Sequence, residues 1–145
     1  MKLFFAGSFD PYTIGHHNIV QRALAMGFEV VVGIGVNTDK TPSCSIEERL
    51  DSIRRIYSAN DSVSVVAYSG LSVKAAVQAG ATALLRGVRT LADYEYERSL
   101  AQINRDISGM ETVLLFSEPE YEHVSSSMVR ELEKYSQSVD KYIVK

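Results

Sequence analysis

Residues 7–16, Gly-Ser-Phe-Asp-Pro-Tyr-Thr-Ile-Gly-His, hold the strongest chemical signal in the chain. They follow an apolar run at 3–6 and precede a helical period, Ile19, Val20, Ala23 and Leu24. A strand therefore feeds a turn rich in Gly, Asp and Pro, and the turn opens a helix at a Gly-His pair. The first N–H groups of a helix lack partners within it and lie at the positive end of its macrodipole, so they attract phosphate. Gly15 lets backbone approach a ligand closely, and His16 adds a donor to phosphate oxygen. The expected chemistry is phosphate binding beside an imidazole.

Other candidate residues share this character. Arg86 and Arg89 flank Gly87 directly after an apolar run, and a guanidinium fork matches phosphate oxygens. Ser125, Ser126 and Ser127 open a helical segment and combine hydroxyls with free N–H groups, with Arg130 one turn on. Lys40, in a polar loop, is a further cation of a type that is usually only solvated. Asp93, Glu95 and Glu97 suit the positive start of a helix, or receive a ribose hydroxyl or an arginine. His17 points about 100° away from His16 and reads as a surface or packing residue. His123 touches either a ligand or water. Cys44, the only cysteine, has no His or Asn near it in sequence and is not read as a nucleophile. No Walker-type G-x-x-x-x-G-K-[ST] occurs, Gly33-Ile34-Gly35 lacks a third glycine, and no G-x-S-x-G elbow is present. Metal-ligand spacing is absent, so any Mg²⁺ is expected to arrive on a nucleotide.

The elements that must position these residues alternate. Short runs rich in Val, Leu and Phe at 2–6, 30–36, 63–68, 83–85 and 112–116 read as buried parallel strands. Helical periods fall between and after them, at about 16–26, 45–58, 71–79, 91–107 and 125–135, the second opening on an S-x-x-E capping signature at Ser45. The pattern predicts one α/β domain over 1–145: a Rossmann-like, open, parallel five-stranded sheet with helices on both faces. Every polar cluster follows a strand, and an order of 3-2-1-4-5 would bring the Gly15-His16 and Arg86–Arg89 turns together across one crevice.

Composition bounds the partners. With 145 residues, 46% hydrophobic, the chain can bury a core. A net charge of −3 gives no sign of nucleic-acid binding, so phosphate recognition must be local. The longest apolar run is too short to span a membrane, no secretory leader is evident, and a lone cysteine suits the cytoplasm.

Thr13-Ile14-Gly15-His16 resembles the T/H-x-G-H motif of the nucleotidyltransferase superfamily. Ser125-Ser126-Ser127-Met128-Val129-Arg130 is similar to its second motif, S-[ST]-[ST]-x-x-[RK]. Within that superfamily, Arg86-Gly87-Val88-Arg89-Thr90 and Asp93-Tyr94-Glu95-Tyr96-Glu97, with Asn104-Arg105 beyond, are very similar to the bacterial phosphopantetheine adenylyltransferases. The resemblance implies a reaction of ATP with 4′-phosphopantetheine that gives 3′-dephospho-coenzyme A and pyrophosphate. It implies that His16 and Lys40 stabilise the transition state, and that Ser8, Lys40, Ser72 and Arg86 hold phosphopantetheine. ATP would be held by Ser8, Phe9, His16, Gly87, Val88, Arg89, Glu97, Tyr121, Glu122, His123, Val124, Ser125, Ser126 and Ser127. Mg²⁺ and a homohexamer are implied with them. Ser8 stands where threonine is common, Tyr121 where tryptophan is often found, and Ser72 where a larger apolar residue is frequent. The C-terminus is short for the family. Rival readings are a sister transferase acting on nicotinamide mononucleotide or, with CTP, on glycerol phosphate, and a nucleotide sensor without catalysis.

Overall fold

The computed structural model describes residues 1–37, 39 and 41–145. Five strands, β1 (Lys2–Gly7), β2 (Glu29–Gly35), β3 (Val63–Tyr68), β4 (Ala83–Val88) and β5 (Glu111–Phe116), pair in parallel in the order β3-β2-β1-β4-β5. Among the described residues five α-helices, α1 (Ile14–Ala25), α2 (Ile46–Ile56), α3 (Ser72–Gln78), α4 (Leu91–Ser108) and α5 (Ser126–Lys134), accompany the sheet. The expected order and class are both met.

The unbroken apolar run of β1 follows from its central place. Successive side chains point to opposite faces, and both faces are covered. Leu3 and Phe5 join Val30, Val32 and Leu85 against Ile19 and Val20 of α1 and Ile53 of α2. Phe4 and Ala6 join Val31 and Leu84 against Val73 and Ala76 of α3. α4 lies beside α3 and packs on β4 and β5. No helix among the described residues is long and apolar enough to cross a membrane.

Two expected boundaries move, and each matters for the site. β4 does not stop at Leu85 but runs on to Val88, so Arg86 and Gly87 lie within a strand and not in a loop after one. β5 sustains this extension by pairing Arg86, Gly87 and Val88 with Leu114, Leu115 and Phe116. β1 does not follow: its pairing with β4 ends at Phe5–Leu85, whereas its pairing with β2 continues to Gly7–Ile34. The sheet therefore opens between β1 and β4 at their carboxyl ends, where strand order reverses and open α/β sheets bind ligands.

The second shift is at α1, which begins at Ile14 on a Thr13 cap and not at the Gly-His pair. Thr13 Oγ1 accepts from the His16 N–H at 3.3 Å, and the His16 ring accepts from the Thr13 N–H at 3.0 Å. This is a reciprocal capping box with histidine in the place usually held by Glu or Gln. Ser45 caps α2 as expected by accepting from the Glu48 N–H.

Close packing fixes one glycine in the sheet. A Cβ on Gly33 would stand 2.2 Å from Cζ of Phe4, a ring with no exposure. Gly33→Ala is expected to lower stability by roughly 1–3 kcal/mol, the usual cost of overpacking. Urea denaturation reads this as a lower midpoint at unchanged slope, and a midpoint equal to wild type would contradict the packing described.

Candidate functional site

A cavity of about 400 Å³ occupies the gap between β1 and β4. Its floor is the end of β1 with Ser8 and Phe9, one wall is the start of α1, the opposite wall is Arg86, Gly87 and Arg89 with α4, and its rim is Tyr121 with Val124, Ser125, Ser126 and Ser127. Three connections that lie far apart in sequence meet there.

The turn after β1 is forced into an uncommon shape. Phe9 has φ +48°, a left-handed conformation that bulky residues rarely adopt. Its ring folds back over Gly7, where a Cβ would lie 2.9 Å from Cζ of Phe9. Contacts from remote elements hold this turn. The buried Asp10 carboxylate accepts from the N–H groups of Ser43 and Cys44 at 2.9 and 3.0 Å. Arg49, buried on α2, donates to the Ser8 carbonyl at 2.7 Å. Arg130 of α5 donates to the Asp10 carbonyl at 2.6 Å, and Ser126 Oγ to that of Pro11 at 2.7 Å.

His16 sits at the inner edge of the cavity among Phe9, Tyr12 and Phe5, with ring centroids 4.9, 5.4 and 6.2 Å away. Its Nδ1 accepts from the Thr13 N–H, so the proton of the neutral ring belongs on Nε2. Burial, then the positive charges of Arg89 and Arg86, hold its pKa down to about 3. The ring is thus a neutral donor at pH 7, not an imidazolium.

Arg86 and Arg89 differ despite their spacing. Arg86 donates through Nε and Nη2 to both oxygens of the buried Glu97 carboxylate, at 2.8 and 2.7 Å, and through Nη1 to the carbonyl of Ala6. Ala6 lies just past the last β1–β4 pair, so the side chain supplies a donor where the neighbouring strand has moved away. Burial works against the charge on Arg86, but the Glu97 hydrogen bonds and charge outweigh it and raise its pKa. Arg89 is more exposed, and among the described residues its side chain pairs at 3.2 Å with Asp93 at the start of α4, whose carboxylate also accepts from the Arg89 N–H at 3.0 Å. Such a pair stabilises by at most about 1 kcal/mol, so an incoming anion can displace it.

The cavity therefore gathers Ser8, Phe9, His16, Arg86, Gly87, Arg89 and Glu97 with Tyr121, Val124, Ser125, Ser126 and Ser127. Ser125 caps α5 by accepting from the Met128 N–H, so the hydroxyls expected to cradle phosphate lie at a true helix start. A Cβ on Gly15 would make only ordinary contacts, with Thr13, Val124 and Tyr121 at 3.5–4.0 Å. Its use is the room it leaves at the cavity wall, not a special backbone angle. Val88 is buried in the sheet, Glu122 and His123 are exposed outside the lining, and His123 meets the Tyr142 ring edge-on. Ser72 lies behind Arg86 and Glu97 in a small adjoining space. Lys40 lies outside the described residues. Asp93 and Glu97 each receive an arginine, one of the expected alternatives, whereas the anchors Asp10 and Arg49 were not foreseen. Arg49 did leave a trace, since it shares the apolar spacing of Ile46, Leu50 and Ile53 on α2. No group of three or more His, Cys, Asp or Glu among the described residues is placed to hold a metal.

Comparison with known proteins agrees with this geometry. The Cytidylyltransferase-like family matches residues 4–132. The chain is 44% identical over 142 residues to a phosphopantetheine adenylyltransferase of Bacteroides thetaiotaomicron, covering 98% of this chain and 94% of that one. It is 47% identical over 139 residues to one of Porphyromonas gingivalis, covering 96% and 91%. A solved bifunctional NMN adenylyltransferase/ADP ribose pyrophosphatase from Francisella tularensis shares the fold at a TM-score of 0.70 and 15% identity. That match covers 98% of this chain and 44% of the larger one, so the chain spans less than half of the bifunctional protein.

The tautomer of His16 has a measurable consequence. The unfolded imidazole protonates near pH 6.5, whereas the folded ring stays neutral far below it. The stability this residue contributes is therefore present above pH 6.5 and is lost as pH falls toward about 3. In ligand-free protein, ¹⁵N spectra of the ring should show the Nε2–H form unchanged from pH 8 to pH 5. A titration midpoint between 6 and 7 would refute the assignment.

Proposed function

The chain belongs to the cytidylyltransferase-like family and, within it, to the phosphopantetheine adenylyltransferases, and we propose that it joins ATP to 4′-phosphopantetheine, forming 3′-dephospho-coenzyme A and releasing pyrophosphate. The observation that carries this reading is the convergence of a neutral histidine donor, two arginines and the start of α5 on one cavity. The single free thiol, Cys44, supports a cytoplasmic setting.

The chemistry needs few protein groups. A phosphate oxygen of phosphopantetheine attacks the α-phosphorus of ATP in line. The new oxygen–phosphorus bond forms as the bond to the β-phosphate oxygen breaks, and its electron pair leaves with pyrophosphate. The nucleophile is already anionic at neutral pH, so no general base is required. The protein must instead align two repelling anions and stabilise charge growing on the α-phosphate.

In this reading His16 Nε2–H donates to an oxygen of the α-phosphate. A neutral donor suits this task, since it loses no proton to the triphosphate. Arg89 turns from Asp93 onto the phosphates, and the N–H groups and hydroxyls at the start of α5 receive the chain of phosphates. Phe9, Gly87, Tyr121 and Val124 form the nucleotide's walls. Ser8 and Arg86 face the acceptor's phosphate, with Ser72 supporting them from behind. The family resemblance adds Lys40 beside His16. The carboxylates of Asp93 and Glu97 are engaged by arginine, and the serine hydroxyls at the start of α5 are already hydrogen-bonded within the fold. That set fits Mg²⁺ carried by water and phosphate oxygens, and the ion would neutralise part of the triphosphate charge.

The exposed face of α4 supports self-association, as a homohexamer by the same resemblance. Tyr96, Ile103 and Ile107 recur at helical spacing and are 63, 53 and 49% exposed.

With ATP and Mg²⁺, mass detection should find dephospho-coenzyme A from phosphopantetheine, and no adduct from nicotinamide mononucleotide or, with CTP, from glycerol phosphate. His16→Ala should lower kcat by about 10²-fold or more while KM for ATP changes little, as for other lost transition-state donors. Near-normal turnover in that variant would refute the role of the imidazole. Size-exclusion chromatography at micromolar concentration should show a hexamer, and elution at the 16.1 kDa monomer mass would remove α4 as an interface.

A further inference from the structure

His16 is held by its capping bond on one side and by aromatic rings on the other, and one of those rings is tethered from outside the cavity. Tyr12 stacks on the imidazole with planes 25° apart, whereas Phe9 and Phe5 meet it by their edges. Phenylalanines are kept in place by shape alone. The Tyr12 hydroxyl, however, lies 2.6 Å from that of Tyr57 in a buried contact. The Tyr57 hydroxyl lies 2.7 Å from Nδ1 of His17. Tyr57 is the residue at which α2 ends, and His17 belongs to the first turn of α1. A polar chain of three side chains therefore joins the end of α2 to the start of α1, and none of the three lines the cavity.

Donor counting gives the chain a direction. Tyr57 has one proton and two neighbours. With His17 neutral and accepting at Nδ1, Tyr57 donates to it and is left to accept from Tyr12. Burial disfavours charge on all three groups, lowering the His17 pKa and raising those of both tyrosines, so all three are neutral at neutral pH and this order is that of the His17 tautomer protonated on Nε2. The other ring contacts agree with a rigid assembly: Tyr57 meets Tyr12 edge-on at 6.2 Å and lies 5.5 Å from His17.

We propose that Tyr12, Tyr57 and His17 are positioning residues for His16, their hydrogen-bonded chain keeping the Tyr12 ring flat against the imidazole and so fixing where Nε2 points. The Thr13 bond anchors one ring atom, and the stacked tyrosine limits rotation of the plane about it. The consequence for turnover rests on the reading of His16 as the donor to the nucleotide, and the test separates the two.

Tyr57→Phe removes the central hydroxyl and keeps every ring, and Tyr12→Phe removes the outer hydroxyl and keeps the stack. Each should lower kcat about three- to tenfold, the range that an aromatic pair contributes, with KM for ATP unchanged within about twofold. Added to His16→Ala, neither should lower kcat further, because their effect passes through that ring. In the ligand-free protein each should shift or broaden the His16 ring ¹⁵N resonances. Equal losses of kcat in both backgrounds, or unmoved ring resonances in a folded variant, would overturn the proposal. Moved resonances in a protein that transfers no adenylyl group would keep the positioning role and refute the function. The two variants change different hydroxyls, so either one that folds decides the matter.

Discussion

β1 and β4 part after the Phe5–Leu85 pair, and the rest of the site depends on how that gap is held. Two parallel strands that separate leave backbone groups without partners, which is costly in a buried setting. Arg86 closes the gap by donating to the Ala6 carbonyl, and Glu97 of α4 balances its charge with both oxygens. The ion pair thus ties α4 to β4 and, through Ala6, to β1. A guanidinium fork can do this because its donors point in three fixed directions, whereas an ammonium could not span the same partners.

The electrostatics of the cavity follow from that commitment. The chain is acidic overall, so no broad positive field draws a nucleotide in. Arg86 is largely neutralised by Glu97, and His16 is uncharged at pH 7. The cavity offers directed donors in place of net charge: the Nε2–H of His16, the N–H groups at the start of α5, and Arg89 in its weak pair with Asp93. Fixed dipoles aimed at a developing charge need no reorganisation during reaction, which suits transfer of a phosphoryl-linked group between two anions. The low pKa of His16 belongs to the same design, since the cations that would hold phosphate also suppress its protonation.

Rigidity around His16 comes from two kinds of contact. The capping box sets Nδ1 against the Thr13 backbone, and the rings of Phe5, Phe9 and Tyr12 enclose the imidazole. The strained Phe9 backbone is held by bonds from α2 and α5 to its immediate neighbours, Arg49 to Ser8 and Arg130 to Asp10. Strain of this kind persists only where surrounding structure over-determines it.

Local pattern was enough for much of this. Continuous apolar runs marked strands covered on both faces, and glycines and caps marked where helices stop and start, because burial and backbone conformation act within a few residues. The order 3-2-1-4-5 was an expectation drawn from the α/β class, and, with polar clusters placed at strand ends, it brought the Gly15-His16 turn to Arg86 and Arg89. Tertiary structure alone decided the rest. It carried β4 on to Val88 through pairing with β5, moved the cap of α1 to Thr13, and divided two similar arginines into one held by Glu97 and one nearly free. It also joined Asp10 to Ser43 and Cys44, Arg49 to Ser8, and Tyr12 to Tyr57 and His17. Most of these partners stand more than 30 residues apart, so their pairing depends on helices docking on a sheet, which no local period encodes.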